Sequence, residues 1–108
     1  MSNTKAIKIL PADEVALHLR SLPFWSYNPE LKAITREFKF LNFLHAFAFM
    51  TKVANASEQH NHHPEWFNVY NKIKITWTTH DVQGLSIKDI QMASTCDQLF
   101  KDSSKTED

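Results

Sequence analysis

The sequence predicts an α+β domain in which three helices pack on one face of a single four-stranded antiparallel sheet. Three segments with apolar residues at helical spacing enclose two pairs of segments in which apolar and polar residues alternate, which gives the order α-β-β-α-β-β-α. A short turn joins each strand pair, whereas parallel pairing would need a crossover of a dozen or more residues. The 108 residues suit one domain, so we expect a single unit over 1–108 with frayed ends at 1–8 and 102–108.

The first helix and the first strand pair are expected between residues 11 and 40. The segment PADEVALHLRSL at 11–22 has a proline and two acidic residues in its first turn, and it carries apolar residues at helical spacing, namely Val15, Leu19 and Leu22. A brief strand at 24–27 is followed by the turn Asn28-Pro29-Glu30. Apolar and polar side chains then alternate at 34–40, which predicts the antiparallel partner of that strand.

The longest helical pattern covers 41–59 and carries two apolar stripes. The first stripe contains Phe43, Phe47, Met50 and Ala54, and the second contains Ala46, Phe49, Val53 and Ala56. At about 100° per residue the stripes together cover about half of the helix circumference, more than the usual core-facing arc. We expect one stripe to pack on the sheet and the other to form a homo-oligomer, a dimer or tetramer, with a second intramolecular contact as the alternative. If the second stripe forms the interface, a charge at Phe49 should dissociate the subunits.

The second strand pair is expected at 66–70 and 73–79, joined through Asn71-Lys72. The period of two places three apolar residues of the second strand on one face, namely Ile73, Ile75 and Trp77. His80 is expected at the strand end on the opposite face. This pair of strands therefore brings a histidine to one edge of the predicted sheet.

The last helix is expected to begin after a turn at Gly84. Glycine leaves the backbone of that turn free, and Ser86 followed three residues later by Asp89 is a capping-box pattern. The helix should run to about residue 100 and bury one apolar face, formed by Ile90, Ala93, Cys96 and Phe100.

Composition narrows the classes of function. Twelve basic and twelve acidic residues cancel, so the chain lacks the positive charge that drives direct binding to nucleic acids or to anionic membranes. No segment approaches the roughly 18 apolar residues of a membrane span, and no secretory leader is evident. The single cysteine, Cys96, excludes an internal disulfide and a thiolate-rich zinc site. We therefore expect a soluble, cytoplasmic protein.

Four of the six histidines lie close together in the sequence: His60, His62, His63 and His80. As metal ligands, His60 and His62 could chelate from an extended segment with His80, but no HExxH or paired-cysteine spacing completes the coordination. As structural residues, the histidines could make ordinary hydrogen bonds at the ends of helices and strands. As acid/base groups, they could give or take protons near neutral pH.

The acid/base interpretation needs an aromatic wall and carboxylates that orient the imidazoles. Trp66 is the candidate wall, and Glu58 and Asp89 are the candidate carboxylates. Such a set suits a flat heteroaromatic substrate, because a planar ring can lie along an aromatic surface while imidazoles and threonine hydroxyls reach its edge. A capping role for Asp89 and a core role for Trp66 explain these two residues equally well.

Several motifs follow one another between residues 58 and 89. They are Glu58, His62-His63-Pro64, Trp66-Phe67-Asn68-Val69-Tyr70-Asn71-Lys72, Thr78-Thr79-His80-Asp81 and Gly84-Leu85-Ser86-Ile87-Lys88-Asp89. Before them, FKFLNFLHAFAFMTKVANASEQ has a Phe-rich strand pattern that runs into a long helix. In this order, the motifs resemble those of the pterin-4a-carbinolamine dehydratases, and the resemblance covers most of the chain.

The resemblance implies a lyase that dehydrates 4a-hydroxytetrahydrobiopterin to quinonoid dihydrobiopterin, in the recycling of tetrahydrobiopterin. The substrate-binding residues would be Glu58, Asn61, His62, His63, Trp66, Thr78, Thr79 and His80, and the catalytic residues would be His62, His63, His80 and Asp89. Among these, His62 and His80 would form the proton-transfer pair, and His63 would mainly hold the pterin. The pterin is the substrate, so no cofactor and no metal is expected. Family members commonly have an acidic residue where Asn61 stands, a departure expected to affect affinity more than reaction type.

The resemblance also implies a second class of function. Some members of the family act as dimerisation cofactors of a homeodomain transcription factor and bind its helical dimerisation segment. The wide apolar face of the helix at 41–59 would be available either for such a partner or for self-association. A coactivator role would place the protein in the nucleus as well as the cytoplasm, without direct contact to DNA.

Overall fold

The computed structural model describes residues 6–106 and confirms the predicted fold class. Seven elements follow in the predicted order: α1 (Ala12–Leu19), β1 (Ser26–Asn28), β2 (Ala33–Lys39), α2 (Phe43–His60), β3 (Glu65–Val69), β4 (Lys72–Trp77) and α3 (Ile87–Thr106). The four strands form one sheet in the order β1-β2-β4-β3, and every neighbouring pair is antiparallel. A short 3-10 turn, His80–Val82, separates β4 from α3.

Helix α3 corrects the expectation of a frayed C-terminal end. The helix continues to Thr106, so residues 102–106 are helical rather than irregular. Phe100 packs against the core and Ser103, one turn later, is buried, so tertiary contacts carry the helix beyond its last apolar residue. At the other predicted end, residues 6–8 have no regular secondary structure, and residues 1–5 and 107–108 lie outside the described residues.

The register of the sheet separates a core face from an open face. On the two central strands, Ile34 lies opposite Trp77 and Phe38 lies opposite Ile73. All four of these side chains are buried, as the alternation in the sequence predicts. The open face carries mostly polar and charged side chains from the same strands, namely Thr35, Glu37, Lys39, Lys72, Lys74 and Thr76. The helices therefore cover one side of the sheet, and the site lies where that side meets the end of β4.

The two apolar stripes of α2 have different environments. The second stripe faces the core of its own chain, since Ala46, Phe49 and Val53 are fully buried. The ring of Phe49 lies within a cluster of aromatic rings, with centroids 4.9 Å from Phe38, 5.0 Å from Phe40 and 6.1 Å from Phe100. Phe49 is therefore a core residue. A charge at this position would disturb the core of the chain, so it cannot test for a subunit interface as the sequence suggested.

The exposed side of α2 carries most of the first stripe, whereas Met50 of that stripe packs against the core. Phe43 and Phe47 contact each other, with ring centroids 5.8 Å apart, and 44% and 54% of their surfaces remain exposed. Leu44 beside them is 75% exposed. These three residues, which we call the α2 patch, are the apolar surface that the chain leaves uncovered on this helix.

An arginine occupies a core-facing position of β2. Arg36 lies opposite Ile75, between the buried Ile34 and Phe38. Its guanidinium lies 4.4 Å from the ring centroid of Phe38 and donates to Asp97 at 2.6 Å. Ring contact and charge pairing together compensate for the partial burial of the cation.

The thiol of Cys96 is buried within α3, as its position in the predicted helix indicates. Burial raises the pKa of Cys96 from 9.0 to about 12. The folded chain therefore keeps the thiol proton at a pH at which the unfolded chain loses it.

We expect this difference to lower the free energy of unfolding as the pH rises from 9 towards 12. Because a shift of one unit corresponds to about 1.4 kcal/mol, the loss should not exceed about 1.4 kcal/mol per pH unit in this window. Urea unfolding of the wild type and of Cys96→Ala at several pH values would measure it. The variant should show the shallower decline, and equal slopes in the two proteins would contradict the assignment.

Candidate active site

Helix α2 ends in a tight turn that directs His62 towards the sheet. Asn61 adopts the left-handed conformation, with φ of 50° and ψ of 46°, which asparagine tolerates better than most residues. The N–H of His62 donates to the carbonyl of Ser57 at 3.0 Å, and that of Asn61 donates to the carbonyl of Glu58 at 3.3 Å. These paired bonds form a Schellman motif. Asparagine at position 61 thus suits the local backbone.

A buried carboxylate holds His62. Its Nε2 lies 2.6 Å from Oδ1 of Asp89, which is fully buried, and its ring stacks on Trp77 with centroids 5.6 Å apart and an interplanar angle of 17°. The other carboxylate oxygen accepts from Thr79 Oγ1 at 2.7 Å and from the Ser86 N–H at 2.9 Å. Three hydrogen-bond partners around one carboxylate fix its position.

Asp89 also opens helix α3, as the capping pattern in the sequence predicts. The Ser86 hydroxyl accepts from the N–H of Lys88 at 3.2 Å, while the Asp89 carboxylate accepts from the Ser86 N–H. This reciprocal pattern confirms the capping box. Because the helix start and the histidine share one carboxylate, the geometry of the site is tied to the packing of α3.

The other two site histidines are paired with carboxylates nearer the surface. Nε2 of His63 lies 2.6 Å from Oε2 of Glu58, which is in the last turn of α2. Nε2 of His80 lies 2.9 Å from Oε2 of Glu65, the first residue of β3. More than half of each of these four side chains is exposed to solvent. Each predicted site histidine therefore has its own carboxylate partner.

A recess of about 280 Å³ opens beside His80. Its walls come from the turn before β2, the start of β3 and the segment after β4, and its lining residues are Leu31, Lys32, Ala33, Glu65, Thr78, His80 and Gln83. Thr78 Oγ1 donates to the carbonyl of Lys32 at 2.8 Å and so joins two of these segments. His62 and His63 are not among the residues that line this recess.

The structure thus brings the predicted site residues together in part. His62, Asp89 and Thr79 form one buried network, and His63 pairs with Glu58. Asn61 lies next to them at the exposed end of α2. Trp66 is partly buried, lies opposite Ile75 on the core face of the sheet and packs against the core, so its role as an aromatic wall stays a prediction.

Three residues contact the predicted site residues although the sequence did not predict such a role for them. Trp77 was expected only in the core, yet its ring stacks on His62. Ser86 was expected only to cap α3, yet its hydroxyl lies 2.7 Å from Oγ1 of Thr79. Glu65 had no predicted role, yet it pairs with His80. Its position directly after His62-His63-Pro64, at the start of a strand, is the signal that could have placed it at the same end of the sheet as the histidines.

Within residues 6–106, no group of three His, Cys, Asp or Glu side chains has an arrangement that could hold a metal ion. In the same part of the chain, no helix combines the length and the apolar character needed to cross a membrane.

The sequence is similar to that of a known protein family over most of its length. Residues 8–99 match the family described as pterin 4 alpha carbinolamine dehydratase. A protein of Rhizorhabdus wittichii, provisionally named a pterin-4-alpha-carbinolamine dehydratase, is 48% identical over 94 residues, which are 87% of this chain and 97% of that protein. A protein of Burkholderia vietnamiensis with the same provisional name is 44% identical over 90 residues, 83% of this chain and 88% of that protein.

The fold is also similar to that of a solved structure. A crystal structure from Brucella melitensis, described as a transcriptional coactivator/pterin dehydratase, superposes with a TM-score of 0.82 at 41% sequence identity. The match covers 84% of this chain and 97% of the other. Sequence and fold therefore agree on the same set of relatives.

Proposed function

Because the chain belongs to the pterin-4a-carbinolamine dehydratase family, we propose that it removes water from 4a-hydroxytetrahydrobiopterin to give quinonoid dihydrobiopterin. The observation that carries this proposal is that each of the three predicted site histidines pairs through Nε2 with a carboxylate. Paired imidazoles are well suited to acid/base work, because the carboxylate fixes the orientation of the ring.

The reaction requires two proton transfers and no redox step. The bond between C4a and the hydroxyl oxygen breaks, and the oxygen leaves as water after it has taken up a proton. The proton on N5 is lost to a base, and the electron pair left on N5 forms the double bond between N5 and C4a. Groups that exchange protons near neutral pH meet both demands.

His62 and His80 are proposed as the proton-transfer pair. Asp89 occupies Nε2 of His62, which leaves Nδ1 as the nitrogen for exchange with a substrate. The stacked Trp77 restricts rotation of the His62 ring, so the orientation of that nitrogen is set before the substrate binds. His80 is more exposed and is held by Glu65, which suits exchange of its proton with water after each turnover.

The other site residues are proposed to bind or position. His63, held by Glu58, would contact the pterin ring, and Asn61 would contribute to the same edge of the site. The Thr79 hydroxyl is committed to Asp89, so its contribution to binding would be indirect. Thr78 lines the recess beside His80 and would contact the substrate there. In this role the protein would recycle the tetrahydrobiopterin that aromatic amino acid hydroxylation uses.

The proposed mechanism uses no metal and no cofactor. We expect protein dialysed against a strong chelator to keep both its dehydration rate and its thermal midpoint, because neither proton transfer calls for a Lewis acid. The measurement is the dehydration rate and the unfolding curve before and after dialysis. Loss of either, restored by Zn²⁺, would contradict the mechanism.

The α2 patch supports a proposal about assembly. Phe43, Leu44 and Phe47 form an exposed apolar surface on one helix, and such a surface is commonly covered by a second copy of the chain. We therefore propose a homo-oligomer, a dimer or tetramer, in which helices α2 pack on one another. The chain would retain its own fold within such an assembly, since its core is formed by the opposite side of α2.

A second function is favoured by the same surface. The Brucella relative is described as a transcriptional coactivator as well as a pterin dehydratase. The helical dimerisation segment of a transcription factor could bind the α2 patch in place of another subunit, with apolar residues in the groove between helices. Pull-down of such a segment by the wild type but not by Phe47→Glu would test this role separately from dehydration.

A further inference from the structure

Two residues that line the recess beside His80, Lys32 and Gln83, have no role in the proposed proton transfers. Lys32 lies in the turn before β2, and Gln83 lies in the segment between the 3-10 turn and α3. Neither residue belongs to the motifs that identify the chain's relatives as dehydratases, and both have exposed side chains. They face the same cavity as His80, Thr78 and Glu65.

The backbone at both positions is held in an uncommon conformation. Lys32 has φ of 52° and Gln83 has φ of 55°, in the left-handed region that non-glycine residues rarely adopt. Hydrogen bonds hold both residues, since the carbonyl of Lys32 accepts from Thr78 Oγ1 at 2.8 Å and the N–H of Gln83 donates to the carbonyl of His80 at 3.0 Å. Such conformations are concentrated at functional sites, where the surrounding structure enforces them. Hydrogen bonds to its own lining residues therefore fix the backbone on both sides of the recess.

The chemistry of the substrate determines which of its parts can reach this recess. The reacting atoms, C4a and N5, lie beside C6 of the pterin ring, and C6 carries the side chain that distinguishes one pterin from another. If His80 exchanges a proton at these reacting atoms, the C6 side chain lies within a few ångströms of its imidazole. A volume of about 280 Å³ corresponds to about nine water molecules at roughly 30 Å³ each, which is enough for a side chain of a few heavy atoms.

The lining indicates the polarity of the group that fits. The Lys32 ammonium donates hydrogen bonds, the Glu65 carboxylate accepts them, and the Gln83 amide does both. The positive and negative charges offset each other, so the recess favours a neutral group over an anion. Hydroxyl groups match such a lining because each can donate and accept.

We propose that Lys32 and Gln83 are specificity-determining residues, which recognise a neutral, hydroxylated side chain at C6 of the pterin. This inference rests on the proposed dehydratase function. It assigns His80, Thr78 and Glu65 to the reacting atoms of the substrate, and Lys32 and Gln83 to the side chain at C6.

The test compares two substrates in three variants. The substrates are 4a-hydroxytetrahydropterins with either a dihydroxypropyl or a methyl group at C6. The variants are Lys32→Met, Gln83→Ala and, as a matched control, Lys39→Met, which makes the same change at the other end of β2. Loss of one hydrogen bond should raise KM for the hydroxylated substrate about threefold to tenfold in each recess variant. KM for the methyl substrate should not change, and the control should be unaffected with both.

Each other outcome overturns a defined part of the account. Equal effects on both substrates, or no effect on either, would contradict the role of Lys32 and Gln83 while leaving the dehydratase function intact. The wild type could instead prefer an analogue with a carboxylate at C6, and Lys32→Met could raise KM most for that analogue. This result would identify the ligand as an anion and would also contradict the proposal. If the wild type dehydrates none of these substrates, the dehydratase function itself is wrong.

Discussion

Replacing His62 or His80 with alanine should lower the kcat for dehydration by roughly a hundredfold or more, the usual effect of removing a positioned proton-transfer group. The two variants should differ in stability. His80 is exposed, so its loss should leave the thermal midpoint nearly unchanged. The side chain of His62 is 10% exposed and stacks on Trp77, so its loss should lower the midpoint measurably. Steady-state kinetics and thermal unfolding of both variants would measure these effects.

His60 supplies the control for these variants. It is an exposed histidine at the end of α2, two residues from His62 and outside the carboxylate-paired set. His60→Ala should therefore keep near wild-type activity. Circular dichroism would establish that each variant is folded. Near wild-type rates in both His62→Ala and His80→Ala would show that the proton-transfer pair is wrongly assigned.

Phe49→Glu should unfold the chain rather than dissociate an assembly. The side chain of Phe49 is fully buried among aromatic rings, and the change removes those contacts and places a carboxyl group in the core. Removing a buried phenylalanine side chain alone costs about 3–5 kcal/mol, and the buried carboxyl group adds to this cost. Because domains are stable by only about 5–15 kcal/mol, urea unfolding should show little or no folded protein.

Phe47→Glu is the matched variant on the exposed side of the same helix. Its side chain is 54% exposed, so the isolated chain should keep its fold, with a change in unfolding free energy within about 1 kcal/mol. Light scattering should show that it dissociates the assembly that the wild type forms. A wild type that is already monomeric at micromolar concentration, or a Phe47→Glu variant that stays assembled, would contradict the α2 interface.

Periodicity in the sequence was sufficient for the fold because most elements carry a single apolar face. The alternation that placed Ile73 and Trp77 on one side of β4 is a local property of a strand, and the register confirms it. In α2 both stripes are apolar, so the face that turns inward depends on packing against β4 and α3, which no local pattern encodes. Arg36 also escapes such patterns, because its place in the core depends on Asp97 and on the ring of Phe100, both far along the chain.

The site shows the same division between local and long-range information. The residue types and their order pointed to His62, His63 and His80, and the capping pattern located Asp89 at a helix start. The pairing of His80 with Glu65 joins residues 15 positions apart through the end of a hairpin, and the stacking of His62 on Trp77 depends on the angle at which α2 ends. These contacts follow from register and from the left-handed turn at Asn61, so they became visible only in three dimensions.

The most direct test of the account is stopped-flow measurement of 4a-hydroxytetrahydropterin dehydration with and without the protein. The substrate also loses water spontaneously, so the buffer rate is the reference and a His62→Ala, His80→Ala double variant is the protein control. The account predicts a rate that exceeds the buffer rate and rises in proportion to the concentration of the wild type, with the double variant close to buffer. A wild type that leaves the buffer rate unchanged, or a double variant as fast as the wild type, would contradict histidine-based dehydration at this site.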